Sequence, residues 1–286
     1  MLTTIHAVNG DHGRGVYRFL RDELGATFIQ FIGIIERATP ETLPIADAGW
    51  GSGVHNRPPY VQDGSLVTHR SVTPHQYGRF VIDVFEEWVR HDIGTVYVQM
   101  FDTALANWYG EPGGMCVLAE TCGHQLALEH NGDVYSCDHY VEPGYLLGNI
   151  KDRHLLELVA LPQQRQFGQN KRDTLTRYCR DCDVRIACNG GCPKDRFMTS
   201  PDGETGQHYL CAGYQEFFRH VREPMQAMAQ LLRANRAPAE LLHAYARQDS
   251  RRPRNDPCTC GSGRKWRHCH GASDDERGTR SGLGIS

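Results

Sequence analysis

A dense group of cysteines between residues 179 and 192 constrains this chain more than any other feature. The stretch reads Cys179-x2-Cys182-x5-Cys188-x3-Cys192-Pro193, and Cys211 follows after a polar loop. Four thiols in fourteen residues, interleaved with Gly190 and Gly191, are not the composition of a hydrophobic core. Because glycines let the backbone turn sharply around a central object, the pattern predicts thiols that converge on a metal centre.

Three cysteines upstream, Cys116, Cys122 and Cys137, provide one ligand fewer than the four that a second metal centre needs. In a related run of bacterial ferredoxins, Cys-x2-Cys-x2-Cys-x3-Cys-Pro, the last cysteine ligates the other of two clusters. By the same logic Cys192 reaches back to the upstream cysteines, and Cys211 supplies the fourth ligand downstream. The sequence therefore predicts two closed sets of four thiols, the number that two iron–sulfur clusters need.

Composition restricts the alternatives. The chain has 286 residues and a formal net charge of −3, contains no run of about 18 apolar residues that could span a membrane, and lacks a signal-peptide pattern. Eleven cysteines without a secretion signal indicate the cytoplasm, where thiols bind metal rather than form disulfides. A single zinc ribbon at residues 179–192 is an alternative, but it explains neither the upstream cysteines nor the Cys-Pro ending.

The first third of the chain predicts alternating strands and helices of an α/β domain. Apolar runs predict strands at 3–8, 27–35 and 95–101, the last two buried on both faces of a parallel sheet. Helical spacing predicts connecting helices at 15–24 and 73–89, the second with a Thr73-Pro74-His75-Gln76 start signal. The polar segment 36–72 predicts a functional loop. Because three parallel strands cannot close a barrel, this region resembles the later part of a larger α/β domain.

Downstream of Cys116 the pattern changes to short elements. Asn131-Gly132 predicts a type I′ hairpin, and residues 152–161 predict a short helix. A longer helical stretch follows at 214–236, which Pro224 must interrupt or kink. The remaining segments are predicted to be a short amphipathic helix at 239–247, a charged linker at 248–254 and a disordered polar tail at 274–286.

The spacing Cys116-x5-Cys122-x14-Cys137, followed by the downstream run, resembles the SPASM domain of radical S-adenosylmethionine enzymes. Within that group the chain most resembles the anaerobic sulfatase-maturating enzymes, through residues 16–26, residues 28–32 and Cys137-Asp138-His139-Tyr140. The resemblance covers about residues 1–235. It implies the C-terminal part of a (β/α)6 radical S-adenosylmethionine barrel at 1–112 and a Cys-rich SPASM domain, with a β-hairpin and helices, at 113–235.

The resemblance also implies ligands and a reaction. One four-iron cluster would be held by Cys116, Cys122, Cys137 and Cys192, and the other by Cys179, Cys182, Cys188 and Cys211. The reaction implied is the two-electron oxidation of a sulfatase's active-site Cys or Ser to Cα-formylglycine. A 5′-deoxyadenosyl radical removes the Cβ hydrogen, a carboxylate takes the side-chain proton, and the last electron leaves through an auxiliary cluster. A flavodoxin or ferredoxin would serve as electron donor.

Asp138 is the candidate for that carboxylate, because it follows a cluster ligand at the floor of the implied substrate cavity. A thiol substrate needs a base that is ionised yet partly desolvated, which favours a buried Asp. The alternative is an Asp that caps the turn after the hairpin. His124 and His139 are candidate assistants, and Gln30 and the 36–72 loop could line the substrate channel.

The chain departs from the resembled family in one respect. No Cys-x3-Cys-x2-Cys loop occurs before Cys116, and this loop holds the cluster that cleaves S-adenosylmethionine. We therefore expect S-adenosylmethionine and a third four-iron cluster only in a complete enzyme, and no radical formation by this chain alone.

A third metal site is predicted near the C-terminus. Residues 253–271, joined by a helix and linker at 236–252 and followed by the tail at 272–286, resemble the SEC-C motif. Cys258, Cys260, Cys269 and His270 make a Cys3His zinc site, and the few apolar residues nearby predict that zinc binding and folding are one event. Nearby Arg and Lys residues form a basic face, which is either a solvated surface or a dock for an acidic protein or RNA.

Three hypotheses follow for function. The first is the C-terminal portion of a sulfatase maturase acting on a sulfatase polypeptide. The second is a SPASM enzyme that modifies another peptide by thioether formation or epimerisation. The third is a non-catalytic iron–sulfur and zinc binding module.

Overall fold

The computed structural model describes residues 1–49, 63–260 and 262–271. The N-terminal region alternates strands and helices as predicted. Its elements are β1 (Leu2–Ile5), α1 (Gly13–Arg18), β2 (Phe28–Gly33), β3 (Arg37–Ala38), α2 (Leu43–Asp47), β4 (Leu66–Val67), α3 (Pro74–His91), β5 (Tyr97–Val98) and α4 (Gln99–Tyr109). A π-helical turn at Phe19–Glu23 extends α1, in agreement with the predicted helix at 15–24.

Strands β1, β2 and β5 form a parallel sheet in the order β1-β2-β5. Leu2 pairs with Gln30, and Phe28 pairs with Tyr97. The prediction of strands buried on both faces is wrong, because burial alternates along β2: Ile29 is 2% exposed, whereas Phe28 is 67% exposed. Among the described residues, helices cover only one face of the sheet, so the alternate side chains of the other face meet solvent.

The third strand is shorter than predicted. Residues Gln99–Phe101 belong to α4 rather than to β5. An apolar run of this length suits either a strand or a buried helix turn, and packing of Phe101 against Phe85 and Phe217 favours the helix.

Helix α3 is the central packing element of the molecule. It begins with the predicted capping box, in which the Thr73 side chain accepts a hydrogen bond from the Gln76 backbone and Gln76 reaches back to Thr73. One side packs on the sheet through Phe80, and the other packs on a downstream helix, α9 (Cys211–His220). Gly78 and Gly213 make that close approach, since a Cβ on Gly213 would lie 2.1 Å from the Pro74 carbonyl oxygen.

The cysteine-bearing region consists of short elements. They are β6 (Ala127–Leu128), β7 (Asp133–Tyr135), β8 (Leu146–Asn149), α5 (Leu155–Val159), α6 (Pro162–Asp173), α7 (Arg177–Arg180), α8 (Arg185–Cys188), β9 (Met198–Thr199), β10 (Thr205–Gln207), α9 (Cys211–His220), α10 (Arg222–Arg233) and α11 (Leu241–Arg251). Strands β6, β7 and β8 form an antiparallel sheet, and the predicted helical stretch near Pro224 is indeed interrupted, at Val221 between α9 and α10.

Two local predictions need correction. The hairpin at Asn131-Gly132 exists, but only Gly132 has a positive φ, whereas a type I′ turn needs two. The predicted charged linker at 248–254 is partly helical, because α11 continues to Arg251 and Asp249 pairs with Arg90 at 3.0 Å. Parts of two further predictions lie outside the described residues: positions 50–62 of the 36–72 loop, and the tail from 272. In the part of the chain described here, no helix is long and apolar enough to cross a membrane.

Candidate metal centres

The downstream cysteines surround one small cavity. Cys179, Cys182, Cys188 and Cys211 all line it. The S–H of Cys211, on α9, donates to Cys179, on α7, and this bond lowers the pKa of Cys179 to about 6. The four thiols therefore converge, although Cys211 is remote from the other three in sequence.

A sharp reversal of the backbone separates Cys188 from Cys192. Three consecutive residues adopt the left-handed conformation: Asn189 at φ 48°, Gly190 at φ 71° and Gly191 at φ 63°. A Cβ on Gly190 or Gly191 would lie 2.3 Å or 2.4 Å from a neighbouring side chain, so glycine is required at both positions. The turn directs neighbouring cysteines to different places.

Cys192 lies with the upstream cysteines. Burial raises the pKa of Cys192 to about 12, and Asp195 and Cys116 add to the shift. Burial also raises the pKa of Cys137 to about 12, and the charge of Cys192 adds to this shift. The charge of Cys116 likewise raises the pKa of Cys122. The cysteines with the largest influence on the pKa of Cys188 are Cys179 and Cys182. The assignment of these eight thiols as ligands of two clusters stays a prediction.

Asp138 lies beside the upstream set but is exposed. Its carboxylate Oδ1 accepts a hydrogen bond from the Cys137 thiol at 3.1 Å. The expectation of a buried carboxylate is wrong, because the loop after β7 turns this side chain outward. His139, next along the chain, points inward instead: its Nδ1 lies 3.5 Å from the Cys192 sulfur.

A polar cavity of about 330 Å³ opens beside Cys192. His139, Tyr140, Lys194 and Arg196 line it from the cysteine-bearing region, and Arg37 lines it from the N-terminal region. The Arg37 guanidinium stacks over Phe197 at 4.4 Å, which fixes the cavity wall. Among the described residues, Gln30 and His124 do not line this cavity.

The four predicted zinc ligands lie together. The ligand atoms of Cys258, Cys260, Cys269 and His270 are all within 4.8 Å of one another, and all four residues are buried. The sulfurs of Cys260 and Cys269 are 3.6 Å apart, and His270 Nδ1 is 3.1 Å from the Cys258 sulfur. Tetrahedral zinc, with Zn–S distances of about 2.3 Å, requires sulfur separations of about 3.8 Å, so the residues fit the metal.

The knuckle formed by residues 254–271 is packed against the first half of the chain. Arg14 on α1 donates through Nη2 to the Cys269 sulfur at 3.0 Å and lies 2.8 Å from His270 Nδ1. Arg79 on α3 donates to the Cys260 carbonyl oxygen. The sulfurs of the knuckle belong to the same apolar core as α3 and the parallel sheet. The composition of the motif alone predicted none of these contacts.

Arg90 joins α3, α11 and the knuckle. Its buried guanidinium bonds to Glu86 at 2.6 Å, to Asp249 at 3.0 Å and to the Thr259 hydroxyl at 3.0 Å. The same group stacks over Trp266 at 5.3 Å. The knuckle therefore contacts α3 and α11 through a buried network of charged and polar side chains.

The predicted basic face is only partly available to solvent. Arg252 is half-buried and stacks over Trp266 at 5.2 Å, and Arg267 is also half-buried. Arg251, Arg254, Arg264 and Lys265 remain exposed.

Comparisons with known proteins agree with these centres. Residues 116–183 match the SPASM family, an iron–sulfur cluster-binding domain, and residues 254–272 match the SEC-C motif. A serine-type anaerobic sulfatase-maturating enzyme of Bacteroides thetaiotaomicron is 40% identical over 243 residues, which are 85% of this chain and 56% of that relative. A cysteine-type enzyme of Clostridium perfringens is 25% identical over 223 residues, covering 77% of this chain and 53% of the relative.

A solved structure shares the fold. The structure of native anSMEcpe with bound AdoMet and the Cp18Cys peptide matches 81% of this chain and 57% of its own, with a TM-score of 0.63 and 24% identity. The chain spans about half the length of the curated relatives that it matches. It is a homologue of the anaerobic sulfatase-maturating enzymes, matches their C-terminal portion, and carries a SPASM iron–sulfur domain and a SEC-C motif.

Proposed function

We propose that this chain is the cluster-bearing C-terminal portion of an anaerobic sulfatase-maturating enzyme, which converts a Cys or Ser of a sulfatase polypeptide to Cα-formylglycine. The observation that carries the proposal is the crosswise convergence of the eight cysteines, with Cys192 beside the upstream set and Cys211 beside the downstream set. One zinc ribbon at 179–192 would have placed Cys192 with its sequence neighbours.

The boundaries of the predicted regions accord with this proposal. Residues 1–112 contribute late β/α units of a barrel, 113–235 the two four-iron clusters, and 253–271 a zinc site. S-Adenosylmethionine and its own cluster supply radical chemistry when bound to a complete enzyme, whose Cys-x3-Cys-x2-Cys loop is not in this sequence. Since all eleven cysteines are unpaired, we place the protein in the reducing cytoplasm, with a flavodoxin or ferredoxin as donor.

The polar cavity beside Cys192 is the proposed place for the peptide. Lys194 offers a cation to peptide carbonyl or carboxylate oxygens, and Arg37 forms part of the cavity wall. Asp138, at the edge of the upstream cysteines, is the proposed acceptor of the substrate's thiol or hydroxyl proton. The exposed residues Arg251, Arg254, Arg264 and Lys265 are the proposed contact with an acidic protein or RNA.

Metal analysis tests the ligand sets first. Anaerobically reconstituted protein should hold about eight irons and one zinc, as two four-iron clusters and one Cys3His site require. A count near four irons would remove one cluster from the proposal.

Activity tests the reaction. In an enzyme completed with the missing loop, Asp138→Asn should keep the iron content and lower the yield of formylglycine, measured by mass spectrometry of a sulfatase peptide. Glu23→Gln, at an exposed carboxylate far from every cysteine in sequence, is the control. Unchanged turnover of the Asp138 variant would leave this residue a structural role. A different mass change on the peptide would favour another SPASM modification.

A further inference from the structure

Two cations lie within the cysteine-bearing region, Lys171, which is buried, and Arg196, which is half-buried. Lys171, on α6, is 1% exposed, and its ammonium donates to the Ala119 carbonyl oxygen. Arg196 follows the Cys192-Pro193 turn, and its guanidinium donates to several backbone carbonyl oxygens. These belong to Gly190 at 2.9 Å, Lys171 at 2.7 Å, and Asn189 and Gly191 at 3.2 Å each.

Neither cation has a carboxylate partner in the described part of the chain, where their hydrogen bonds all go to carbonyl oxygens. The two are also close enough to repel each other: burial, and then Arg196, lower the pKa of Lys171 to about 8. Buried charges in proteins are normally paired or bound to a metal centre, because an uncompensated buried charge is very costly. The compensating anions must therefore come from other groups nearby.

Cysteines of both sets are among the nearby groups that can carry negative charge. Lys171 donates to the carbonyl oxygen of Ala119, which stands between Cys116 and Cys122 in the chain, and its charge interacts with Cys122, Cys188 and Cys192. Arg196 acts on Cys192 and on Cys179 and Cys188. The two cations thus lie between the sets. A four-iron cluster held by four thiolates has a net negative charge, and net charge is one of the factors that set its reduction potential.

We propose that Lys171 and Arg196 are shared counter-ions of the two clusters and raise the reduction potential of both. The inference rests on the proposed presence of two clusters. A fixed positive charge stabilises the more negative, reduced form of a cluster, and it does so more strongly in a buried site than in water. The pair therefore eases acceptance of the electron that remains after the substrate has lost a hydrogen atom and a proton.

Lys171→Gln provides the test, because glutamine can still donate to the Ala119 carbonyl oxygen but has no charge. The matched control is Lys151→Gln, since Lys151 is exposed. Both full-length variants are reconstituted anaerobically, their iron is counted, and EPR-monitored redox titration measures the two midpoint potentials. We expect wild-type iron content in both, with both potentials more negative in Lys171→Gln and unchanged in Lys151→Gln. Arg196→Lys, which keeps the charge, should shift them less.

Other outcomes are decisive as well. Unchanged potentials in a fully loaded Lys171→Gln protein, or a shift in one cluster alone, would overturn the shared counter-ion role. Wild-type protein with fewer than two clusters would overturn the proposed function, and with it this inference. Should Lys171→Gln hold no iron, thermal unfolding of the iron-free proteins decides. A higher Tm than iron-free wild type supports an uncompensated cation, and an equal or lower Tm overturns it.

Discussion

The knuckle and the cysteine-bearing region both contain cysteines as predicted ligands, but the two regions differ in how closely these ligands lie together. The knuckle takes all its ligands from residues 258–270, within 4.8 Å of one another. The other region draws its thiols from residues 116–211, and among the described residues no three of these thiols lie that close to one another. A single ion needs tight ligands, whereas a four-iron core separates them.

Charge compensation differs in the same way. In the proposed zinc site, three thiolates and one Zn²⁺ would leave one negative charge, and Arg14 brings one cation to the Cys269 sulfur from a position 255 residues earlier in the chain. The cysteine-bearing region has its cations inside it, as Lys171 and Arg196. We infer that ligand spacing and the origin of the counter-charge together distinguish the two kinds of thiolate centre in this fold.

Pairs of cysteine substitutions give the most severe test of how the eight thiols are divided between the two proposed clusters. Each of Cys116→Ala, Cys188→Ala and Cys192→Ala should remove about four irons, because each breaks one cluster. The Cys116/Cys192 pair should remove no more than either single change, whereas the Cys188/Cys192 pair should remove both clusters. Elemental analysis measures iron and zinc, and zinc should stay at the wild-type level throughout. Equal iron in the two double variants would contradict the crosswise assignment.

Arg90→Ala should produce the largest loss of stability in the knuckle region. Breaking one partner of a buried ion pair costs about 3–5 kcal/mol, and this change removes the guanidinium that bonds to both Glu86 and Asp249. Chemical denaturation measures the free energy of unfolding. The control is Arg172→Ala, whose exposed pair with Asp173 should have no measurable effect. Similar stabilities for the two variants would mean that the knuckle does not depend on α3.

The pH dependence of Glu86 gives the next largest effect. Burial alone would raise the pKa of Glu86, but bonds from His220, Arg90 and Thr259 lower it to about 2, against 4.5 ordinarily. Because the folded-state pKa is depressed, the stabilisation is complete above pH 4.5 and is lost as the pH falls towards 2. Wild type should exceed Glu86→Gln by about 3 kcal/mol at neutral pH.

Denaturation of both proteins across this range measures the difference, and subtraction removes the effect of groups that they share. If the difference in unfolding free energy stays constant from pH 6 to the lowest pH at which both proteins fold, these bonds do not lower the pKa of Glu86.

Arg14→Met should weaken zinc binding by about 10- to 100-fold, as the loss of an outer partner of a ligand typically does. Competition with a chromogenic chelator measures the affinity. Arg18→Met in the same helix is the control: it breaks a pair with Glu87 at 2.7 Å and should lower stability without changing zinc affinity. Equal zinc affinities for the two variants would show that Arg14 only anchors the helix.

Local signals predicted much of the fold, and tertiary contacts account for most of the misses. The start of α3 and the interruption near Pro224 depend on neighbouring residues, so the sequence was sufficient for both. Helix α6 was not predicted, because Pro162–Asp173 is polar and lacks an apolar period. The burial of Lys171 depends on contacts with residues outside α6, so the local sequence does not indicate it.

The sites show the same division. The spacing of the cysteines indicated which thiols approach one another, although their roles as ligands stay predictions. The outward position of Asp138 and the packing of the knuckle on α1 and α3 left no trace in local sequence, because the partners are remote.

The bond between Arg14 and Cys269 joins positions 255 residues apart. Bringing such distant points together costs loop-closure entropy, which grows only slowly with the length of the intervening chain. The predicted zinc ligands close only the short loop 258–270, so the contacts between the folded knuckle and α1 must offset that cost. During synthesis, this contact can form only after the ribosome has made Cys269. The metal content of the growth medium would then influence how long newly made molecules stay open to proteolysis.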